Sequence, residues 1–247
     1  MMTYTDLKAP FWQTAPLQGG TLGKCARCAV RTTGLCGALH DSELADIQPY
    51  MTTVERHADT VLFDENDPSD FVYNLVSGAA RSFKLLPDGR RQITGFLRPG
   101  DFLGILENDQ YAFSADLITD SRLCRFRRND FEKLVDHFPA LQKSLLSGAF
   151  REVANAHERF LMLGRKTAQE KVAGFLMSLR PACARGEDEA AVELFMSRGD
   201  IADYLGLTIE TISRELTKLD RRGLITFQGD RRHLVLDVPG LEDLLSS

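Results

Sequence analysis

Ser197–Ile225 reads SRGDIADYLGLTIETISRELTKLDRRGLI. Ser197 followed three residues later by Asp200 has the form of a capping box and predicts a short helix through Leu205. Gly206-Leu207 is the turn, because glycine takes a positive φ without a Cβ clash. Thr208 then caps a second helix running to about Leu219. Two short helices joined by so tight a turn make a helix-turn-helix. On the second helix Ile209, Ile212, Leu216 and Leu219 recur at helical spacing as one apolar face. Glu210, Ser213, Arg214 and Thr217 make the opposite, polar face. A recognition helix offers such a face to the major groove, N-terminal end first. Arginine pairs with guanine O6 and N7, glutamate accepts from cytosine N4–H, and serine bonds to either base edge. The plain alternative is a solvated polar face on an ordinary helical hairpin.

Working outward, Leu224–Phe227 and His233–Leu236 read as two strands around a turn, a β-wing beside the helices. Thr208, Thr211, Arg221, Arg222, Arg231 and Arg232 are the candidates for phosphate contacts. That local basic surface matters because the chain as a whole is acidic, with net charge −5 over 247 residues. Pro239–Leu245 predicts a closing helix. With 43% hydrophobic residues the chain can bury one large core or two modest ones. It shows no basic-then-apolar leader and no apolar run of membrane length, so it is expected in the cytoplasm with no membrane partner.

Upstream, the texture is β-rich from about Val54 to Arg127. The segments 60–63, 70–76, 80–86, 91–97, 112–118 and 121–126 are short β-type runs split by turns such as Pro87-Asp88-Gly89-Arg90. Asn129 with Glu132 resembles a capping box, and Pro139 suits the first turn of a long helix to about Gly164. On it Leu145, Ala149, Val153, Ala156, Phe160 and Leu163 form a narrow apolar seam, as in a helix that pairs with its twin. The alternative is a helix packed on its own domain. A further helix spans about Ala168–Leu179, followed by a loop over 181–186. Asp41 is the expected cap of a helix start at 40–44. The fold class expected is α+β: a loose arm at 1–24, a cysteine loop and β-roll at 25–137, a dimerisation helix at 138–164, and a winged helix-turn-helix unit at 165–247.

Three of five cysteines, Cys25, Cys28 and Cys36, sit within GKCARCAVRTTGLCGAL (23–39). Clustered cysteines in a chain without secretory features point to metal or redox chemistry. Cys124 shares a strand face with Phe126, where a lone thiol is usually core.

The order of cysteine arm, β-roll, long helix and winged helix-turn-helix resembles the CRP/FNR superfamily of bacterial transcription regulators, over nearly everything past residue 20. LGLTIETISREL is similar to the FNR-type recognition segment, and RRQITGF and LGRKTAQEK also look like this branch. The resemblance implies a dimer that reads a TTGAT-type inverted repeat through Glu210, Ser213 and Arg214, and that contacts RNA polymerase. It implies a [4Fe–4S] cluster on Cys25, Cys28, Cys36 and, as fourth ligand, Cys124, which makes the protein an oxygen-sensing regulator or activator. Cys183 matches no ligand position. Lys24, Arg27 and Arg31 lie where they can offset the negative charge of four thiolates. The 84–90 hairpin resembles a family activating surface, or is a plain solvated turn. In the family an acidic residue lies midway along the dimer seam; Ala156 takes that place here, which removes a repulsion. The cyclic-nucleotide branch carries Gly-Glu and Arg-Ser pairs in the roll, and Phe102–Leu106 and Tyr111–Ala115 lack them. Three other readings compete: a structural zinc at the same cysteines, an Fe–S electron-transfer protein, and a haem-based gas sensor. The five histidines make no constellation with a nucleophile, and no nucleotide fingerprint occurs, so no enzymatic activity is expected.

Overall fold

The computed structural model describes residues 23–104, 109–180, 190–229 and 232–246. The expectations for the arm before Gly23, for Cys183 and its loop, and for Arg231 lie outside these residues.

Alternating apolar segments form β1 (Met51–Arg56), β2 (Val61–Phe63), β3 (Phe71–Ser77), β4 (Ala80–Leu85), β5 (Arg91–Leu97), β6 (Phe102–Leu103), β7 (Ser114–Leu117) and β8 (Ser121–Arg127). They pair antiparallel into two four-stranded sheets, ordered β1-β8-β3-β6 and β2-β7-β4-β5. Phe63, Tyr73, Leu75, Leu103, Tyr111 and Leu123 fill the space between them. Phe63 stacks on Tyr111 with ring centroids 3.7 Å apart. The β-region begins at Met51 rather than Val54, because Met51–Thr53 pair with Cys124–Phe126 across the sheet. The two-residue β6 is too short for any periodicity to announce it.

The outer face of the first sheet carries a second core. Side chains alternate along a strand, so Tyr73, Leu75 and Leu123 enter the roll while Val72, Asn74, Val76, Cys124 and Phe126 face outward. Over them lie the cysteine loop, α1 (Asp41–Ile47), α2 (Arg128–His137) and the start of α3 (Pro139–Arg165). Two caps differ from expectation. Helix α1 is capped at His40, whose N–H donates to Glu43 Oε2 at 2.8 Å, so Asp41 is its first residue. Helix α2 begins at Arg128, straight out of β8, and its cap position is Arg127. Glu132 therefore pairs one turn back with Arg128 (2.7 Å) instead of closing a box with Asn129.

Pro139 opens α3 as expected. Its exposed apolar side chains are Leu146, Phe150, Val153, Phe160, Leu161 and Leu163. At 3.6 residues per turn the line through Leu146, Phe150, Val153 and Phe160 also passes His157. This line shares Val153 and Phe160 with the expected seam, of which Ala149, Val153, Phe160 and Leu163 are exposed and Leu145 and Ala156 half-buried. Leu145 packs into its own protomer's core, Leu163 reaches toward Gly206 of the same chain, and Ala156 lies at the stripe's margin. The phase of a helix is set by which side its own domain occupies, and spacing alone does not reveal that.

Beyond α3 come α4 (Ala168–Ser178), β9 (Ala191–Glu193), α5 (Arg198–Leu205), α6 (Ile209–Arg221), β10 (Ile225–Gln228), β11 (His233–Leu236) and α7 (Val238–Ser246). Thr167 caps α4 in a box with Glu170. Ile201, Leu205, Ile212, Leu216 and Leu219 meet α4, the wing and Leu241 in one core. β9 adds a third strand to the wing, in the order β10-β11-β9.

The β4–β5 hairpin docks on α5. Asp200, only 3% exposed, receives Arg81 at 2.5 Å and Arg91 at 2.8 Å on Oδ1. Arg81 also meets Asp116, with Nε and Oδ1 2.7 Å apart but poorly aligned for a hydrogen bond. Gln92 donates to the Asp203 carbonyl at 2.7 Å. Phe96 packs among Phe175, Phe195 and Tyr204.

Candidate cysteine centre and nucleic-acid interface

The cysteine loop is a run of tight turns. A 3₁₀ turn at Gly23–Arg27 and another at Leu35–Ala38 bracket it. Cys28 N–H donates to Cys25 O, Gly34 N–H to Val30 O, and Leu39 N–H to Cys36 O. Arg31 ties the loop together, donating to the carbonyls of Cys36 (2.5 Å) and Leu39 (2.7 Å) and pairing with Asp41 (3.1 Å). Val30, Leu35 and Leu39 are buried beneath it.

This folding brings Cys25, Cys28 and Cys36 over β8, where Cys124 stands. Cys25 and Cys124 are buried, and Cys28 and Cys36 pack against the same core. The thiols lie within electrostatic range of one another. Burial first, then Cys36, Cys28 and Cys25, push Cys124 up to about 12. Burial, then Cys25 and Cys28, push Cys36 up to about 11, with Arg31 opposing. Cys25 is raised by burial and Cys28, again against Arg31. All three are therefore neutral thiols at pH 7, and binding a metal there releases protons. Of the cations read as possible counter-charges, Arg31 acts on Cys25 and Cys36, Arg27 is exposed, and the Lys24 side chain lies outside the described residues. Among the described residues no group of three or more His, Cys, Asp or Glu is arranged to hold a single metal ion as it stands. The donor set, four soft sulfurs from two separate segments in an apolar setting, suits an iron–sulfur cluster. The Leu35–Ala38 turn also packs against α3, so the loop touches the helix that leads to the DNA-binding unit.

In the helix-turn-helix, Ser197 and Asp200 close the expected box: Ser197 Oγ donates to Asp200 Oδ2 at 2.7 Å and accepts from Asp200 N–H at 3.1 Å. Gly206 takes φ +63° at the turn. Thr208 caps α6, accepting from Thr211 N–H at 3.2 Å. Ile212, Leu216 and Leu219 are buried, but Ile209 is 52% exposed. It sits in the first turn of α6 beside Gly199, which offers no side chain to cover it, and Leu207 packs against the core. Glu210, Arg214 and Thr217 are exposed on the outer face, and Ser213 is half-buried. Glu210 is held below the usual carboxylate range by backbone N–H of its own helix end and by Thr208. Ser213 Oγ accepts from Arg198 at 3.1 Å, and Arg214 reaches Thr211 Oγ1 at 3.4 Å. Arg221, Arg222 and Arg232 lie exposed nearby.

Two parts of the site escape sequence reading. The Arg81–Asp200–Arg91 group joins residues far apart in the chain, and Asp200 already had an assigned duty as a cap. Asn74 is a lone amide in the apolar run FVYNLV; that oddity was its only signal.

A cyclic nucleotide-binding domain model matches residues 53–138, and a Crp-like helix-turn-helix domain model matches 170–244. The transcriptional activatory protein AadR of Rhodopseudomonas palustris is 44% identical over 204 residues, covering 82% of this chain and 85% of that protein. The nitrogen fixation regulation protein FixK of Bradyrhizobium diazoefficiens is 42% identical, covering 81% and 85%. The transcriptional activator protein FnrL of Cereibacter sphaeroides is 34% identical, covering 87% and 89%. The structure of FixK2 from Bradyrhizobium japonicum superposes with a TM-score of 0.72 at 37% identity, over 78% of this chain and 96% of that one. With its roll, long helix and winged helix-turn-helix in that order, the chain belongs to the CRP/FNR family of DNA-binding transcription regulators.

Proposed function

We propose that this regulator senses oxygen through a [4Fe–4S] cluster held by Cys25, Cys28, Cys36 and Cys124, and that it binds a TTGAT-type inverted repeat in the cytoplasm as a homodimer. The observation that carries this reading is the meeting of the N-terminal cysteines with Cys124, a residue of β8 far along the chain, in one buried patch. Structural need alone does not call for four thiols at one point. An iron–sulfur cluster supplies, when bound, a group whose integrity depends on oxygen.

The protein's own residues do the rest. The four thiolates tie the loop to β8, and Arg31 offsets part of their charge. The Leu35–Ala38 turn presses on α3, and the Arg81–Asp200–Arg91 group couples the roll to α5. Loss of the tie frees the loop and changes how the roll and α3 present the two recognition helices. Glu210, Ser213 and Arg214 read bases, while Thr208, Thr211, Arg221, Arg222, Arg231 and Arg232 hold phosphates. The β4–β5 turn at Lys84–Arg90, where Asp88 accepts from Arg90 Nε at 2.7 Å, is the surface offered to RNA polymerase for activation.

Protein purified without air is expected to be coloured, with iron and acid-labile sulfide in equal amounts, and Cys124→Ser is expected to lower both to background. Air exposure should then weaken operator binding by the wild type and leave the Cys124→Ser protein unchanged. Zinc in place of iron, or operator binding indifferent to air, would sink the reading. For DNA, Arg214→Ala is expected to cost ~1–3 kcal/mol and to relax preference at one base pair. The measurement is titration against operator and random DNA; equal losses on both would argue against base readout.

A further inference from the structure

Asn74 stands opposite Cys124 in the β3–β8 ladder and on the same sheet face. It is 3% exposed, and its Oδ1 has no hydrogen-bond partner. A buried amide oxygen without a partner is rare and calls for a reason. The amide does not point into the roll. It lies beneath the cysteine loop, where a methyl on Gly34 would sit 3.4 Å from both Asn74 Oδ1 and Nδ2. Gly34 is two residues from Cys36, and the neighbours of Asn74 on its own strand face are Val72 and Val76, both apolar and buried. The polar group therefore lies between Cys124, its partner across the ladder, and the loop backbone at Gly34 that leads to Cys36. Rotating the amide about its last bond exchanges oxygen for N–H₂, and both settings occupy the same space. Beside anionic sulfur, N–H₂ forward becomes the favoured setting, since hydrogen bonds to charged acceptors are roughly twice as strong as neutral ones.

We propose that Asn74 is a positioning residue for the metal centre, donating its side-chain N–H to sulfur at Cys124 and Cys36 once these are thiolates bound to iron. This rests on the cluster reading above and adds to it. Hydrogen bonds to sulfur are among the factors that set the potential of an iron–sulfur cluster. A donor at this place draws electron density from the sulfurs and makes the cluster harder to oxidise. Asn74 then tunes the oxygen response without being a ligand. It also makes two opposite contributions: an amide oxygen without a partner weakens the metal-free fold, and the same amide strengthens the loaded one.

That opposition gives the test. Asn74→Leu keeps the branched shape and removes the donor. Anaerobically purified Asn74→Leu should load iron as the wild type does, but its absorption should bleach in air with a half-life about tenfold shorter, the scale typical of lost outer partners at metal sites. Its metal-free form should melt at the same or a higher temperature than metal-free wild type. Resonance Raman spectra in H₂O and D₂O should show a deuterium-sensitive Fe–S component in the wild type that is missing in the variant. Asn74→Ala, which adds no bulk, should lose the same component and carries the test should leucine not be accepted in the strand. Equal bleaching rates and equal deuterium sensitivity across the three proteins would overturn the role of Asn74 while leaving the cluster in place. A lower melting temperature of the metal-free leucine variant, with unchanged bleaching, would make the amide a brace for the loop and also overturn it. Wild type that takes up no iron would overturn this proposal together with the cluster reading, so the two failures are told apart.

Discussion

Asp200→Ala is expected to lower the stability of the folded chain by about 3–5 kcal/mol, the cost of breaking a buried ion pair from one side. Asp200 is almost wholly inaccessible and serves two structures with its two oxygens. Oδ2 caps α5 through Ser197, and Oδ1 accepts from Arg81 and Arg91 of the roll. Its removal strips the first helix of the helix-turn-helix of its cap and leaves two arginines without this partner at the domain junction. Arg81 keeps Asp116, which limits the loss to the range given. Denaturant unfolding checks it. Asp203→Ala, at the more exposed edge of the same group, should cost no more than about 1 kcal/mol. The contribution of Asp200 has a definite pH sign. Burial works against its charge, but the Ser197 hydrogen bonds and the two arginines outweigh it and hold the carboxyl below its ordinary value. Its stabilisation is therefore present above about pH 3.9, the unfolded value, and is lost as the pH falls through the lower folded value. The stability gap between wild type and Asp200→Asn should accordingly close on the acid side and stay constant from pH 5 to 8. A gap that instead widened toward acid would contradict the assignment.

Val153→Glu is expected to weaken self-association by roughly 10²- to 10⁴-fold. Val153 is 53% exposed at the centre of the α3 stripe, between Phe150 and His157. Exposed apolar stripes of this length mark interaction surfaces. In a two-fold symmetric pair each substitution occurs twice. Losing the burial of two such side chains amounts to about 3–6 kcal/mol, and two opposed carboxylates add to it. Ala156→Glu, at the margin of the stripe, should change association by less than about tenfold. Sedimentation of the two variants separates the stripe seen in the structure from the seam read by spacing, which put Ala156 at mid-seam. Equal effects of the two would favour the seam.

The helix-turn-helix was legible because its signals are local. A cap and its partner lie three residues apart, Gly206 supplies its own φ, and the apolar period of α6 repeats within one helix. Local hydrogen bonds decide such features, so chain order is enough. Ile209 shows the limit: its spacing is right, but whether a helical position is covered depends on which residue of α5 faces it, here Gly199. The same limit applies to α3, where Leu145 of the expected seam packs on its own domain's core while Leu146 and Phe150 are left exposed beside Val153 and Phe160. The capping residues of α1 and α2 shifted for a related reason, with His40 and Arg127 fixed by the segments leading into each helix. The cysteine loop could be read as a metal loop from composition and spacing, while Cys124 needed the family resemblance to be joined to it.

What the sequence determined alone, then, is the order of the units, the helix-turn-helix with Glu210, Ser213 and Arg214 on the polar side of its second helix, and the clustering of Cys25, Cys28 and Cys36. Each rests on periodicity or on neighbours within a few residues. Only the tertiary structure decided that Cys124 and Asn74 face the cysteine loop, that Arg81 and Arg91 close on Asp200, and which stripe of α3 is left open. These depend on sheet register and on the packing of distant segments, where a shift of one residue turns a side chain to the opposite face.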